Sequence, residues 1–132
     1  MNRWPFSIVF IALAVFLLAA TCDNSHGGPP GDSGISGIVT IGPMCPVERV
    51  DTPCPDQPFQ ATIVVDDAHG KEVTRFDSGA DGSFRVALAP GSYTLVPQSP
   101  NGGGPPSAGE QTVEVRSGAY TDVTIQYDSG IR

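Results

Sequence analysis

The sequence predicts an all-β fold, a seven-stranded antiparallel β-sandwich that occupies residues 35–132. Seven short segments rich in β-branched and aromatic residues are separated by turn residues. Four of these segments alternate between apolar and polar residues, which is the period of a strand with one buried face. No segment after residue 22 combines helical periodicity with capping residues, and prolines and glycines recur throughout. Short strands in this number favour two packed sheets.

The predicted strands are, in order, ISGIVTI (35–41), FQATIVV (59–65), KEVTRF (71–76), SFRVAL (83–88), SYTLV (92–96), QTVEV (111–115) and YTDVTIQY (120–127). Alternation assigns these side chains to the core: Phe59, Ala61, Ile63 and Val65; Phe84, Val86 and Leu88; Val113 and Val115; Val123, Ile125 and Tyr127. The segment 71–76 alternates poorly, because Val73 and Phe76 fall on opposite faces. It is therefore predicted to be an edge strand or to contain a β-bulge.

Residues 1–21 have the layout of a secretory signal peptide. Arg3 and the amino terminus are positive, and the segment from Phe6 to Ala20 is almost purely apolar. As a helix this apolar segment would span roughly 22 Å, whereas the hydrocarbon core of a bilayer is roughly 30 Å thick. A cleaved signal is therefore favoured, and an uncleaved membrane anchor is the alternative.

The segment LAATC at the end of this signal resembles the lipobox of bacterial lipoproteins. The resemblance implies that Cys22 is lipidated and becomes the mature amino terminus, which accounts for an otherwise unpaired cysteine. Ordinary cleavage after Ala20, with Cys22 left as a thiol, is the alternative. Lipidation would place the protein outside the cytoplasm, held to the membrane through Cys22 at the cell surface or the periplasmic face. Residues 22–34, rich in glycine and proline, are predicted to be a flexible tether.

The net charge excludes one class of function. Loss of Arg3 with the signal leaves 6 basic and 14 acidic residues, a net charge of −8. A chain so acidic, with no basic patch, is repelled by phosphate backbones. Nucleic acid is therefore not an expected partner.

Residues 81–96, DGSFRVALAPGSYTLV, are predicted to form a hairpin. The pair Asp81-Gly82 supplies a turn with positive φ, which glycine adopts at little cost. Pro90 presets φ for the next reversal, and Gly91 is expected in the left-handed conformation. Two short strands are thus brought together by the chemistry of their own turns.

The same stretch resembles the carboxypeptidase regulatory-like domain, a prealbumin-like (transthyretin-like) sandwich. The recurring pattern of that family is D-G-x-F, alternating apolar residues, and L-x-P-G-x-Y-x-L. The segments SGIVT and HGKEV extend the resemblance over most of residues 35–127. The resemblance implies an accessory module beside enzymes or a part of a surface protein, with no catalytic residue and no cofactor. It predicts that the chain is not an enzyme.

Cys45 and Cys54 lie nine positions apart in the proline-rich segment 42–58. A metal site would need two further ligands, and His69 is the only histidine of the predicted domain. A thioredoxin-type redox pair needs C-x-x-C spacing beside a helix. In an exported chain the two thiols are expected to form a disulfide. Closing a loop of this length adds about 2.7 kcal/mol to the free energy of unfolding.

Two polar segments are candidates for chemistry, and a turn is favoured for each. His69 lies beside Asp66 and Asp67, yet no G-x-S-x-G or H-E-x-x-H motif accompanies it. The segment DSGADG (77–82) has two aspartates but too few oxygen ligands for a calcium loop. No metal site is predicted.

Three functions remain open from the sequence. A non-catalytic, lipid-anchored extracytoplasmic binding or structural module leads. A carbohydrate-binding accessory domain is second and would need an exposed aromatic platform, for which Tyr120 is the one aromatic residue left unassigned once Trp4 leaves with the signal. A hydrolase is third and would need a pocket containing His69.

A protein or glycan partner is expected at one end of the sandwich. Because successive antiparallel strands reverse direction, the connections 42–58, 77–82 and 98–109 should share an end with the carboxyl terminus, opposite the tether. The tight turns 67–70, 89–91 and 116–119 should share the other end. The predicted contact surface comprises Val47, Glu48, Arg49, Val50, Asp51 and Thr52. The alternative is that both long loops are merely free to vary.

Overall fold

The structure, a computed structural model, describes residues 31–132, which fold into two four-stranded β-sheets. The strands are β1 (Gly34–Gly42), β2 (Gln57–Pro58), β3 (Thr62–Asp67), β4 (Glu72–Asp77), β5 (Ser83–Ala87), β6 (Gly91–Pro97), β7 (Gln111–Val115) and β8 (Tyr120–Asp128). All seven predicted strands form, and β2 is additional. The predicted signal peptide, Cys22 and most of the tether lie outside the described residues. Within residues 31–132, no helix has the length and apolar character needed to cross a membrane.

The first sheet is built around β1. Strand β8 pairs with one edge of β1 along its whole length, while β5 and β2 pair in succession with the other edge. The β1–β8 pair is parallel, with Gly34 opposite Tyr120 and Gly42 opposite Asp128. This pair departs from the antiparallel arrangement expected throughout, because chain reversal gives the first and last strands the same direction but does not show that they are neighbours.

The second sheet has the order β4-β3-β6-β7, and all its pairs are antiparallel. Strand β4 lies at the edge, and its register against β3 shifts between Val65 and Asp66. Both features predicted for residues 71–76 are confirmed. Val73 is exposed, whereas Phe76 packs against the core.

The two sheets enclose one apolar core. Its buried members are Ile35, Val39, Ala61, Ile63, Val65, Phe84, Leu95, Val113, Val115, Val123, Ile125 and Tyr127. The predicted inward faces of β3, β7 and β8 are confirmed, and Phe59, Val86 and Leu88 pack against the same core half-buried. One aromatic pair joins the sheets, since the ring centroids of Phe76 in β4 and Phe84 in β5 are 5.0 Å apart. The ring centroids of Phe59 and Tyr127 are 4.9 Å apart.

The two turn glycines of the 81–96 hairpin differ in backbone conformation. Gly82 has a φ of 79°, as predicted, and a Cβ atom there would lie 2.3 Å from the carbonyl oxygen of Val39. Gly91 has a φ of 156°, far from the left-handed value near +57° that was expected. It begins β6 instead of completing a left-handed turn.

The connections gather at two ends of the sandwich, as predicted. We call the end formed by loops 42–58, 77–82 and 98–109 and the carboxyl-terminal residues the distal end. There the main-chain N–H of Ser129 donates to the carbonyl oxygen of Gly42 at 3.0 Å. At the opposite end, the N–H of Gly34 donates to Ala119 and that of Leu88 donates to Ser33. The chain therefore enters β1 at the end opposite the long loops.

Candidate functional site

The candidate site is the loop closed by Cys45 and Cys54, whose sulfur atoms form the predicted disulfide. Between the two cysteines the chain makes a tight turn, in which the N–H of Thr52 donates to the carbonyl oxygen of Arg49 at 3.1 Å. Val50 stands at the apex of this turn, fully exposed, and Val47 is 70% exposed. The loop is thus closed and carries an apolar tip.

Charged side chains flank the apolar tip. Glu48, Arg49 and Asp51 are all exposed. The ion pairs found within residues 31–132 join other residues, Glu72 with Arg75 and Asp128 with Arg132. The three loop charges therefore face solvent and are available to a partner.

The base of the loop is attached to the sheet. The side-chain amide of Gln126 in β8 donates a hydrogen bond to the carboxylate of Asp56. The hydroxyl of Ser129 donates to the carbonyl oxygen of Pro43. The disulfide loop consequently projects from a fixed base.

Loop 98–109 is held at both of its ends. The hydroxyl of Tyr127 donates to the carbonyl oxygen of Gln98 at 2.9 Å. Ser107 and Asp128 exchange two main-chain hydrogen bonds, of 3.1 and 2.7 Å. The two long loops therefore lie on the same end of the scaffold, as the sequence predicted.

The carboxyl-terminal residues close the same end. The guanidinium of Arg132 and the N–H of Gly130 both donate to the carboxylate of Asp128, and they lower its pKa to about 2. The carboxylate is charged at neutral pH, so this cap persists over the physiological range.

His69 lies in a polar turn at the opposite end of the sandwich. The carboxylate of Asp67 accepts hydrogen bonds from the N–H groups of Lys71 and His69, which lower the pKa of Asp67. Asp67 thus shapes the turn. The structure confirms the turn at 67–70.

The DSGADG segment is also a turn. The N–H of Gly82 donates to Gly79 at 2.9 Å, and the carboxylate of Asp81 accepts hydrogen bonds from the hydroxyl and the N–H of Ser83. These bonds lower the pKa of Asp81. Across residues 31–132, no group of three metal-ligating side chains lies close enough together to hold an ion.

Tyr120 was the aromatic side chain left unassigned, and its ring is covered. The guanidinium of Arg85 lies 3.5 Å from the ring centroid, a cation–π contact. The hydroxyl of Tyr120 donates to the carbonyl oxygen of Gly31, where the chain enters the sandwich. Tyr120 therefore fastens the tether end and does not form the aromatic platform that a flat sugar site would need.

The distal end contains a depression of about 370 Å³ that the sequence did not predict. We call it the distal pocket. Its lining comes from residues 59–62, from Asp77, and from Gln98 and Pro100. Because these residues lie on three separate segments, no local pattern could have revealed them.

Comparison with known proteins finds matches among solved structures. No protein-family model matches the chain, and no curated protein matches it. Among solved structures, the Bacillus anthracis TIE protein is similar over 74% of this chain, with 20% sequence identity and a TM-score of 0.49. The chain spans 17% of the length of that protein. Similarity at this level transfers no function.

Proposed function

We propose that this chain is a non-catalytic, lipid-anchored extracytoplasmic module of the carboxypeptidase regulatory-like kind, which presents its disulfide loop to a protein partner. The observation that carries the proposal is the fully exposed Val50 at the tip of a loop closed by Cys45 and Cys54. Val47, 70% exposed, lies on the same loop, and exposed apolar side chains that are grouped together and rimmed by polar residues mark interaction sites.

The chemistry of the tip suits a protein partner. Val47 and Val50 supply apolar contact area, and Glu48, Arg49 and Asp51 surround them. An apolar centre with a polar rim is the usual anatomy of a protein interface. Because the disulfide and the prolines restrict the free loop, less conformational entropy is lost on binding.

The position of the loop suits attachment through Cys22. The chain enters β1 at Gly34, and the nine residues of this strand extend about 26 Å before the disulfide loop begins. A tether at the opposite end would hold the loop outward from the membrane. The disulfide favours an oxidising compartment, consistent with export.

Site-specific photo-crosslinking tests the proposal in the cells that produce the protein. A photoreactive residue replaces Val50 in one variant and Ser117, an exposed turn residue at the opposite end, in a matched control. We expect a discrete crosslinked protein from position 50 and none from position 117. Replacement of residues 47–52 by Gly and Ser should abolish the same product when it is captured from a remaining distal position such as Pro55. Equal crosslinking at both ends, or capture that survives the loop replacement, would refute the proposal.

A further inference from the structure

The distal pocket is separate from the tip of the disulfide loop and has its own rigid frame. Ser78, which is 1% exposed, forms one part of this frame. Its hydroxyl accepts the N–H of Ala61 at 2.9 Å and donates to the carbonyl oxygen of Phe59 at 3.0 Å. The N–H of Ser78 in turn donates to Ala61 at 2.9 Å. One buried serine thus fixes the backbone that forms the pocket wall at 59–61.

Hydrogen bonds that include the buried Tyr127 fix the wall of the pocket at Gln98. The buried Tyr127 donates to the carbonyl oxygen of Gln98, and the N–H of Gln98 donates to Thr62 at 2.9 Å. The ring of Phe59 packs against the ring of Tyr127. The pocket is therefore formed before any ligand arrives, as is usual for small-molecule sites.

Polar groups with unused hydrogen-bonding capacity line this pocket. Thr62 donates to one carboxylate oxygen of Asp77, and the other oxygen has no partner within residues 31–132. The amide of Gln98 donates to the carbonyl oxygen of Val96, which leaves its side-chain oxygen free to accept. The side chain of Gln60 is exposed and has no hydrogen bond to the described residues. The pocket thus offers carboxylate and amide oxygens together with amide N–H donors of Gln60 and Gln98.

Apolar surface lies beside these groups. The half-buried Phe59 and the exposed Pro100 both line the pocket. A ligand that fits must therefore present both hydroxyl-type donors and C–H surface. Cationic side chains are missing from the pocket lining, and Asp77 adds a negative charge, so anionic ligands are disfavoured.

From this arrangement we infer that the distal pocket binds a neutral saccharide unit. Sugar hydroxyls donate to Asp77 and Gln98 and exchange hydrogen bonds with Gln60, while a C–H face of the sugar ring packs on Phe59 and Pro100. The volume lies near the lower limit of small-molecule sites, roughly 300–1,000 Å³, which suits a short saccharide. This site is independent of the proposed contact surface at Val47–Thr52.

NMR titration of the full chain tests the inference, in a detergent that has no sugar head group. Glucose, galactose, mannose, N-acetylglucosamine, maltose and cellobiose are the probes. We expect at least one of them to cause saturable shifts of the backbone amide resonances of residues 59–62, Asp77 and Gln98, while those of residues 47–52 stay unchanged. Gln60→Ala should weaken this binding about tenfold, because one good hydrogen bond is lost.

Gln57→Ala is the matched control, since Gln57 is an exposed amide of the same end outside the pocket lining. It should bind like the parent chain. The inference is overturned if no probe gives saturable shifts up to its solubility limit, or if both glutamine variants lose binding equally. Shifts caused by putrescine alone, and removed by Asp77→Asn, would make the pocket a cation site and would also overturn it. Neither result bears on crosslinking through Val50, so the two proposals fail separately.

Discussion

The phenolic hydroxyl of Tyr127 donates a 2.9 Å hydrogen bond to the main-chain carbonyl oxygen of Gln98. Tyr127 belongs to β8 in the first sheet, and Gln98 follows β6 in the second. The bond therefore crosses the core and fixes the start of loop 98–109. A fully buried hydroxyl needs such a partner, so stability and the shape of the distal end depend on the same contact.

Tyr127→Phe should lower the free energy of unfolding by about 1 kcal/mol, because the carbonyl oxygen of Gln98 loses a buried partner. Urea denaturation measures this change. The variant should keep its β-sheet circular dichroism, since the ring and its packing on Phe59 remain. A variant as stable as the parent would show that the hydroxyl bond contributes nothing.

The same variant should alter the response to alkaline pH. Burial raises the pKa of Tyr127 from 10.0 to about 12. The unfolded chain loses this proton at lower pH than the folded chain, so the contribution of Tyr127 is complete below pH 10 and is lost as pH rises toward about 12. The stability of the parent should fall more steeply over this interval than that of Tyr127→Phe. Parallel curves of stability against pH for the two proteins would contradict the raised pKa of Tyr127.

The sequence predicts the strands well because their faces follow from local alternation. The inward side chains of β3, β7 and β8, the edge position of β4 and the shared end of the long loops all depend on period and chain reversal, and all are confirmed. The parallel β1–β8 pair was not predicted, because alternation and chain reversal give the faces and direction of each strand but not which strands become neighbours. Strand β3 starts at Thr62 and not at Phe59, because residues 59–61 bond to Val39 and Ser78 instead of a strand ladder.

Much of the candidate site depends on long-range contacts. The disulfide between Cys45 and Cys54 was predictable from export chemistry and spacing. The distal pocket was not, because Ser78 resembles any turn serine in the sequence and acquires its role only when residues 59–61 pack over it. The role of the Tyr120 ring was likewise not predictable, because it depends on the guanidinium of Arg85 that lies over it.

Ser78→Ala should lower the free energy of unfolding by about 2 kcal/mol. The substitution leaves the N–H of Ala61 buried without its partner, and such a group bears the full desolvation penalty. Ser92→Ala, at an exposed position in β6, should change stability by less than about 0.5 kcal/mol. Chemical denaturation of both variants checks the difference, and equal effects would contradict the role of Ser78 as the frame of the pocket.

Gly82→Ala should be more damaging than the same change at Gly118. Both glycines have a positive φ, 79° and 72°, so both variants bear the strain of a left-handed alanine, about 1 kcal/mol. At Gly82 the new methyl group would also meet the carbonyl oxygen of Val39, whereas nothing lies within 4 Å at Gly118. We expect a further loss of at least about 1 kcal/mol at Gly82, measured by thermal unfolding. Similar melting temperatures for the two variants would contradict this account.

Processing at Cys22 is a prediction about residues outside the described part of the chain. If cleavage occurs there, the mature protein lacks Trp4, the only tryptophan, so its fluorescence should come from tyrosine alone. Cys22→Ser should abolish lipid attachment and release the protein from membranes. A membrane-bound Cys22→Ser protein with tryptophan emission would instead identify residues 1–21 as a permanent anchor.

The disulfide should stabilise the protein without determining its fold. Cys45→Ser/Cys54→Ser removes the closure of a ten-residue loop, so the free energy of unfolding should fall by about 2.7 kcal/mol on the chain-entropy model. The β-sheet signature should persist, because the loop lies between β1 and β2 and contributes no side chain to the buried core. Thiol counting on the folded parent before reduction should detect neither of these cysteines, and two reactive thiols in the exported protein would exclude the bond.

The Cys45→Ser/Cys54→Ser variant should also crosslink less efficiently through a photoreactive residue at Val50. The open loop loses conformational entropy on binding, whereas the closed loop has already lost it. Undiminished crosslinking would mean that the partner recognises the sequence of the tip and not its closed shape.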